Sequence, residues 1–217
     1  LRLLRASDDR LAVQVSVLVD KALALSTASP ALRTRVDALL AAIYTWLPLP
    51  HRHAVLERWI DSGTKTSAAR WLKAMASDPS LFDATAIFDY WLVSNSIPAA
   101  KILAYQAEPA FLDEVLARLV ARCSEGWIIS KAALRATSVP PDVWPVLRQN
   151  HPATYAYLCA VLGRNIPEEE AIALFQDTKS SILDEQRRLV IWSIGQMGLF
   201  SVLDHLADNF LGSSPTR

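Results

Sequence analysis

The 217 residues carry 22 Lys or Arg against 22 Asp or Glu, so no net field steers the chain toward nucleic acid or an anionic membrane. Apolar residues make up 52% and charged residues 20%, which excludes disorder and is enough to bury a real core. With only six glycines and abundant Leu and Ala, the composition favours helices over strands.

The charge is distributed as a shallow gradient. Basic and acidic residues number ten and six over residues 1–70, seven and eight over 71–150, and five and eight over 151–217. Two cysteines, Cys123 and Cys159, have no neighbouring Cys or His at ligand spacing, which points away from a zinc site or a disulfide framework and toward a reducing compartment, the cytoplasm. No run approaches the roughly 18 consecutive apolar residues of a membrane span. The chain opens at Leu1 with no Met and no signal-peptide pattern, so it is expected to be one part of a longer protein.

In chain order, a first helix is predicted from Asp8 to about Thr27, with Leu11, Val15, Leu18, Ala22 and Leu25 on one face. Pro30 opens a second, carrying Leu32, Val36, Leu39, Leu40, Ile43 and Leu47. Prolines then recur at Pro50, Pro79, Pro109, Pro140 or Pro141, and Pro167, at intervals of 29, 30, about 31 and about 27. Each suits the first turn of a helix, where a missing N–H costs nothing and the fixed φ is already helical. Asp78-Pro79-Ser80-Leu81-Phe82-Asp83 parallels Glu108-Pro109-Ala110-Phe111-Leu112-Asp113, with acids placed to complement the helix dipole.

The second helix of each unit repeats an apolar stripe. Ala68, Trp71, Leu72 and Met75 form one, followed by Ala99, Ile102 and Leu103, then Ile128, Ile129, Ala132, Ala133 and Ala136. Tyr155, Leu158, Cys159 and Leu162 continue the series, as do Val190, Ser193, Ile194 and Met197. Loops are expected at Ser62-Gly63-Thr64, Ser124-Glu125-Gly126 and Gln149-Asn150-His151, and a last helix over Leu199 to Phe210 runs into the polar Gly212-Ser213-Ser214-Pro215. A single helix pair cannot bury both apolar faces, so neighbouring pairs are expected to stack.

Through this proline spacing and stripe register, residues 48–197 resemble the HEAT and armadillo class of helical repeats, in a short form of about 30 residues per unit. The fold class implied is all-α: an α-solenoid of about five stacked antiparallel helix pairs. Residues 1–47 form an N-terminal helix pair, and residues 198–217 a C-terminal capping helix with its tail.

In such arrays the second helices line the concave surface, so their polar sides are where a ligand is read. Those positions are Arg70 and Lys73; Lys101 and Tyr105; Trp127, Lys131 and Arg135; Tyr157 and Arg164; Arg188 and Trp192. Arg70, Lys101 and Lys131 stand 31 and 30 residues apart, in step with the repeat. A cationic, aromatic row of this kind suits an acidic protein or peptide. Of the seven tryptophans, Trp46, Trp59, Trp71 and Trp91 read as core, and Trp127 and Trp192 as exposed anchors.

No catalytic signature, metal site or cofactor motif is expected. His51 and His53, two residues apart on a helix, point to different faces, and the acids at Asp8-Asp9 and Glu168-Glu169-Glu170 fall at helix starts. No phosphate loop, nucleophile elbow or HExxH pattern occurs. Two alternatives to a protein-binding scaffold stand beside it. In size and expected architecture the chain is similar to the HEAT-like DNA-alkylation glycosylases, a resemblance that implies duplex DNA as ligand. That family's groove is strongly basic, however, and no Asp here matches its catalytic one. The other alternative is a purely structural spacer.

Overall fold

The structure, a computed structural model, describes residues 9–28, 30–62, 64–178 and 184–211. The described residues form thirteen α-helices and no strand, so the expected all-α class holds. They are α1 (Asp9–Ala28), α2 (Pro30–Ile43), α3 (Leu49–Asp61), α4 (Lys65–Ser77), α5 (Ala84–Ser94), α6 (Ile97–Gln106), α7 (Pro109–Arg122), α8 (Gly126–Arg135), α9 (Val143–Asn150), α10 (Pro152–Val161), α11 (Glu168–Asp177), α12 (Asp184–Gln196) and α13 (Phe200–Leu211). The side chains of Leu11 and Leu25, Gly63, Asp8 and the tail from Gly212 lie outside the described residues.

The chain divides into two compact units, one up to Asp83 and one from Ala84. In the first, α1 packs on α2 and α3 on α4. Val19, Leu40, Leu47, Val55 and Trp59 are buried there, and a buried ion pair from Arg58 Nε to Asp37 Oδ1 (2.9 Å) fastens α3 to α2. Arg52 organises the break after α2. Its Nε donates to the Leu47 carbonyl (2.8 Å), its Nη2 to that of Thr45 (2.9 Å) and its Nη1 to Asp78 Oδ2 (2.7 Å). The helix predicted to reach Leu47 therefore ends at Ile43 and continues as a 3₁₀ turn, Tyr44–Trp46.

The stripe of α1 is rotated from the predicted one, and that of α2 is fully buried only at Leu40 and Leu47. Val19 and Leu40 are buried, whereas Leu18, Leu32 and Leu39 are exposed. With few helix neighbours each of these helices buries only a narrow line, and a narrow line excludes half of a broad apolar face. Trp46, expected in the core, is 40% exposed because it sits in the 3₁₀ turn rather than on the helical stripe.

In the second unit α5 packs on α6, α7 on α8, α9 on α10 and α11 on α12, with α13 against α11 and α12. The second helices also touch in series, α6 with α8, α8 with α10 and α10 with α12. These helices are rich in small buried residues: Ala99, Ala100 and Ala104, then Ala132 and Ala133, then Ala153 and Ala156. Small side chains let helix axes approach closely. Larger residues such as Trp91, Leu103, Leu116, Ile128, Leu147 and Leu158 fill the core, each contributing roughly 2 kcal/mol by burial. The stripes predicted for α4, α6, α8 and α12 face inward, but Leu162 is exposed, since α10 ends one residue before it.

Helix ends in this unit are closed by side chains that arrive from about one pair further along. Arg122 donates to the Leu92 carbonyl at the end of α5 (2.8 Å) and Arg135 to that of Ala104 on α6 (2.9 Å). His151 Nε2 meets the Val120 carbonyl on α7 (3.2 Å). These links span 30, 31 and 31 residues. Satisfying the last carbonyls of a helix is obligatory, and here tertiary packing does it.

Proline punctuation works at some sites and not others. Pro30 and Pro109 open α2 and α7, and Pro50 lies in the first turn of α3. Pro79 does not open a helix. Asp78 Oδ1 accepts from the Ser80 amide (3.2 Å) and hydroxyl (2.6 Å), which makes a turn, and α5 starts only at Ala84. Pro140 and Pro141 likewise occupy a turn before Val143, and Pro167 precedes α11 as its cap.

Candidate functional site

The predicted row distributes over both units. Arg70 and Lys73 lie on α4 in the first. They line a cleft of about 480 Å³ with residues of α2, the 3₁₀ turn and Trp59 of α3. The other nine belong to the second unit, and eight of them lie on its second helices.

There the structure brings neighbours together in crossed pairs. Lys101 of α6 places its ammonium 5.6 Å from the centre of the Trp127 ring on α8, while Lys131 of α8 stands 5.0 Å from the ring of Tyr105 on α6. The two cations and two rings thus form an alternating quartet across adjacent helices. Each contact contributes about 0.5–1 kcal/mol at such exposure and holds a ring ready without hiding it. Tyr105 is 49% exposed and Trp127 46%. Trp127 is fixed further, its indole Nε1 donating to Glu125 Oε2 (3.1 Å). Among the described residues no carboxylate stands within ion-pair distance of Lys101 or Lys131, so their charge is offered outward.

A second aromatic step lies on α10 and α12, where Tyr157 and the 45%-exposed Trp192 are 5.8 Å apart and tilted by 31°. Arg188 precedes Trp192 by four residues and so shares its helix face. Two members of the row are engaged in packing. Arg135 is tied to the Ala104 carbonyl, and Arg164, which follows the end of α10, stacks over Trp144 of α9 at 4.6 Å.

Other candidates resolve into structural contacts. His51 Nε2 faces Asp20 Oδ1 at 3.4 Å, while His53 is exposed. In the first turn of α11, Glu168 accepts from Ser201 (2.5 Å) and Glu170 lies 3.7 Å from Arg148. Burial pushes both thiols up, Cys159 to about 11, so neither is a thiolate nucleophile at neutral pH. No group of three or more His, Cys, Asp or Glu is placed to hold a metal ion among the described residues, and no described helix is long and apolar enough to cross a membrane.

Sequence reasoning missed the cleft beside Arg70, because Tyr44 belongs to no stripe and Trp59 reads only as core. Comparison of the chain with known protein families, with curated proteins and with solved structures finds no match.

Proposed function

We propose that this chain is a non-enzymatic protein-interaction module, whose helix pairs stack as a HEAT-like solenoid and whose second helices bind an acidic segment of a partner protein. The observation that carries this reading is the quartet of Lys101, Trp127, Tyr105 and Lys131. Exposed aromatic rings beside uncompensated cations combine apolar area with charge-assisted hydrogen bonding, the combination found at binding hot spots. The Tyr157–Trp192 step extends the same chemistry along the serially touching helices. An extended acidic peptide fits such a surface better than duplex DNA does, because two lysines set between aromatic rings neutralise few of the closely spaced phosphates on which DNA affinity rests.

The test is fluorescence anisotropy with a labelled peptide rich in Glu and aromatic residues, against a Lys-rich peptide and a labelled DNA duplex. Lys101→Glu with Lys131→Glu is expected to weaken the acidic peptide by at least about tenfold, with the Lys-rich peptide failing to bind. The reading is overturned if the acidic peptide does not bind, if the double reversal leaves its affinity unchanged, or if the duplex binds more tightly at physiological salt.

A further inference from the structure

The starts of α8 and α10 lie side by side. A Cβ on Gly126, the first residue of α8, would run into the Thr154 hydroxyl in the first turn of α10. Both residues line a cleft of about 330 Å³, together with Ser124, Asn150, Ala153 and Gln186. Neither helix is capped by a side chain, since Glu125 and His151, which hold the cap positions, accept no first-turn amide. The earliest amides to bond back to the chain are those of Ile128 and Tyr155. The N–H groups of Gly126, Ala153 and Thr154 therefore find no partner among the described residues.

Thr154 adds a fourth donor. It is only 6% exposed, yet its hydroxyl has no hydrogen-bond partner among the described residues. The buried side-chain atoms that are both unpaired and sealed from solvent are Tyr44 Oη, His51 Nδ1, Arg58 Nη2 and Trp59 Nε1, all in the first unit. The Thr154 hydroxyl is not one of them, because it opens on the cleft. Buried hydroxyls are nearly always paired, so one that reaches only a cavity is met from the cavity.

No Lys, Arg, Asp or Glu lines this cleft, and the partial positive charge of each helix start, about half a unit, stands without an opposing carboxylate. Glu125, next to the cleft in sequence, holds its carboxylate on the Trp127 indole (3.1 Å). The His151 ring is committed to the Val120 carbonyl, and burial keeps it neutral at neutral pH. Amides that converge from helix starts hold an oxyanion. Ser124, Asn150 and Gln186 supply groups that both donate and accept, which matches hydroxyls on the rest of the ligand. The volume is that of a small-molecule site.

We infer that the cleft between the starts of α8 and α10 binds a small oxyanion on a hydroxylated body, a phosphate or carboxylate whose oxygens accept from the amides of Gly126, Ala153 and Thr154 and from the Thr154 hydroxyl. The site is separate from the cationic, aromatic face of the second helices and does not rest on it.

The experiment follows the Gly126 and Thr154 amide resonances of the full chain by ¹H–¹⁵N correlation, with Gly163 and Gly198 as references outside the cleft. The chain is titrated with glycerol 3-phosphate, glycerate, inorganic phosphate and glycerol. One of the two organic anions is expected to move Gly126 and Thr154 saturably and to leave the references in place, and the stronger identifies the oxyanion. Inorganic phosphate is expected to bind more weakly, and glycerol not at all. Thr154→Val, which keeps the branched shape and removes the hydroxyl, is expected to weaken binding about fivefold. Gln186→Glu, at an exposed position that brings a like charge to the rim, is expected to do so at least as strongly. The inference is overturned if neither organic anion moves the two amides at about 10 mM. It is equally overturned if glycerol moves them as far, if inorganic phosphate binds as tightly as the organic anions, or if Thr154→Val or Gln186→Glu binds like the parent.

Discussion

His151 shows how much one side chain can carry here. Its ring closes the end of α7 through the Val120 carbonyl, so Nε2 holds the proton, and burial keeps the imidazole below its ordinary value of 6.5. The unfolded chain takes up a proton near 6.5 while the folded chain resists it, so stability is complete above that pH and declines as pH falls through it. His151→Gln, which keeps a donor for Val120, is expected to lessen the loss of melting temperature between about pH 7 and 5.5. An unchanged slope would show that His151 does not titrate in this way. The tryptophans mark what single residues disclose in a sequence. Trp59, Trp71 and Trp91 fall at helical spacing with other apolar residues and are buried, and Trp127 and Trp192 face away from their stripes and are exposed. Trp46 escaped the pattern because the period that placed it had already stopped.

At the scale of helices, close approach is the governing quantity. Gly126 begins α8 where a Cβ would collide with Thr154 Oγ1 of α10, and Thr154 is itself buried. Gly126→Ala is therefore expected to lower stability by about 1 kcal/mol in urea denaturation, the overpacking cost exceeding the helix propensity gained. Thr154→Ala in the same chain is expected to restore part of the loss, and additive effects of the two changes would refute the contact. Two other glycines act by conformation. Gly163 and Gly198, at φ of 68° and 73°, end α10 and α12, and the following amides, Arg164 and Leu199, return to the carbonyls of Cys159 (2.8 Å) and Ile194 (3.2 Å). Apolar spacing made the second helix of each pair legible, and prolines marked the first. Helix starts were less so, because Asp78-Pro79-Ser80 and Glu108-Pro109-Ala110 look alike on paper. In the first, Asp78 turns its carboxylate on Ser80 and Arg52, and its pKa drops from those hydrogen bonds, so the same letters make a turn.

For the molecule as a whole, the division after Asp83 was the least visible feature. The segment that ends the first unit has neither the glycines nor the low complexity of a linker, and its aspartate and proline mimic a helix entrance. Each unit nevertheless has its own buried centre, around Trp59 in one and around Leu103, Leu116 and Ile128 in the other. A fragment of residues 84–217 is accordingly expected to keep its helical circular dichroism and to melt cooperatively. A gradual, non-cooperative melt would mean that the first unit is needed for its fold. The candidate face was partly legible: Lys101 and Lys131 were placed by the repeat interval, but their partners across it, Trp127 and Tyr105, depend on which ring each ammonium reaches, and spacing does not encode that.

Arg122, Arg135 and His151 each reach back 30 or 31 residues to a waiting carbonyl. Each link fixes the length of the chain between its donor and its acceptor. A duplication or deletion of a few residues within that span leaves one helix end open. Changes in length are thus better tolerated outside these three spans, in the turns that none of the links crosses.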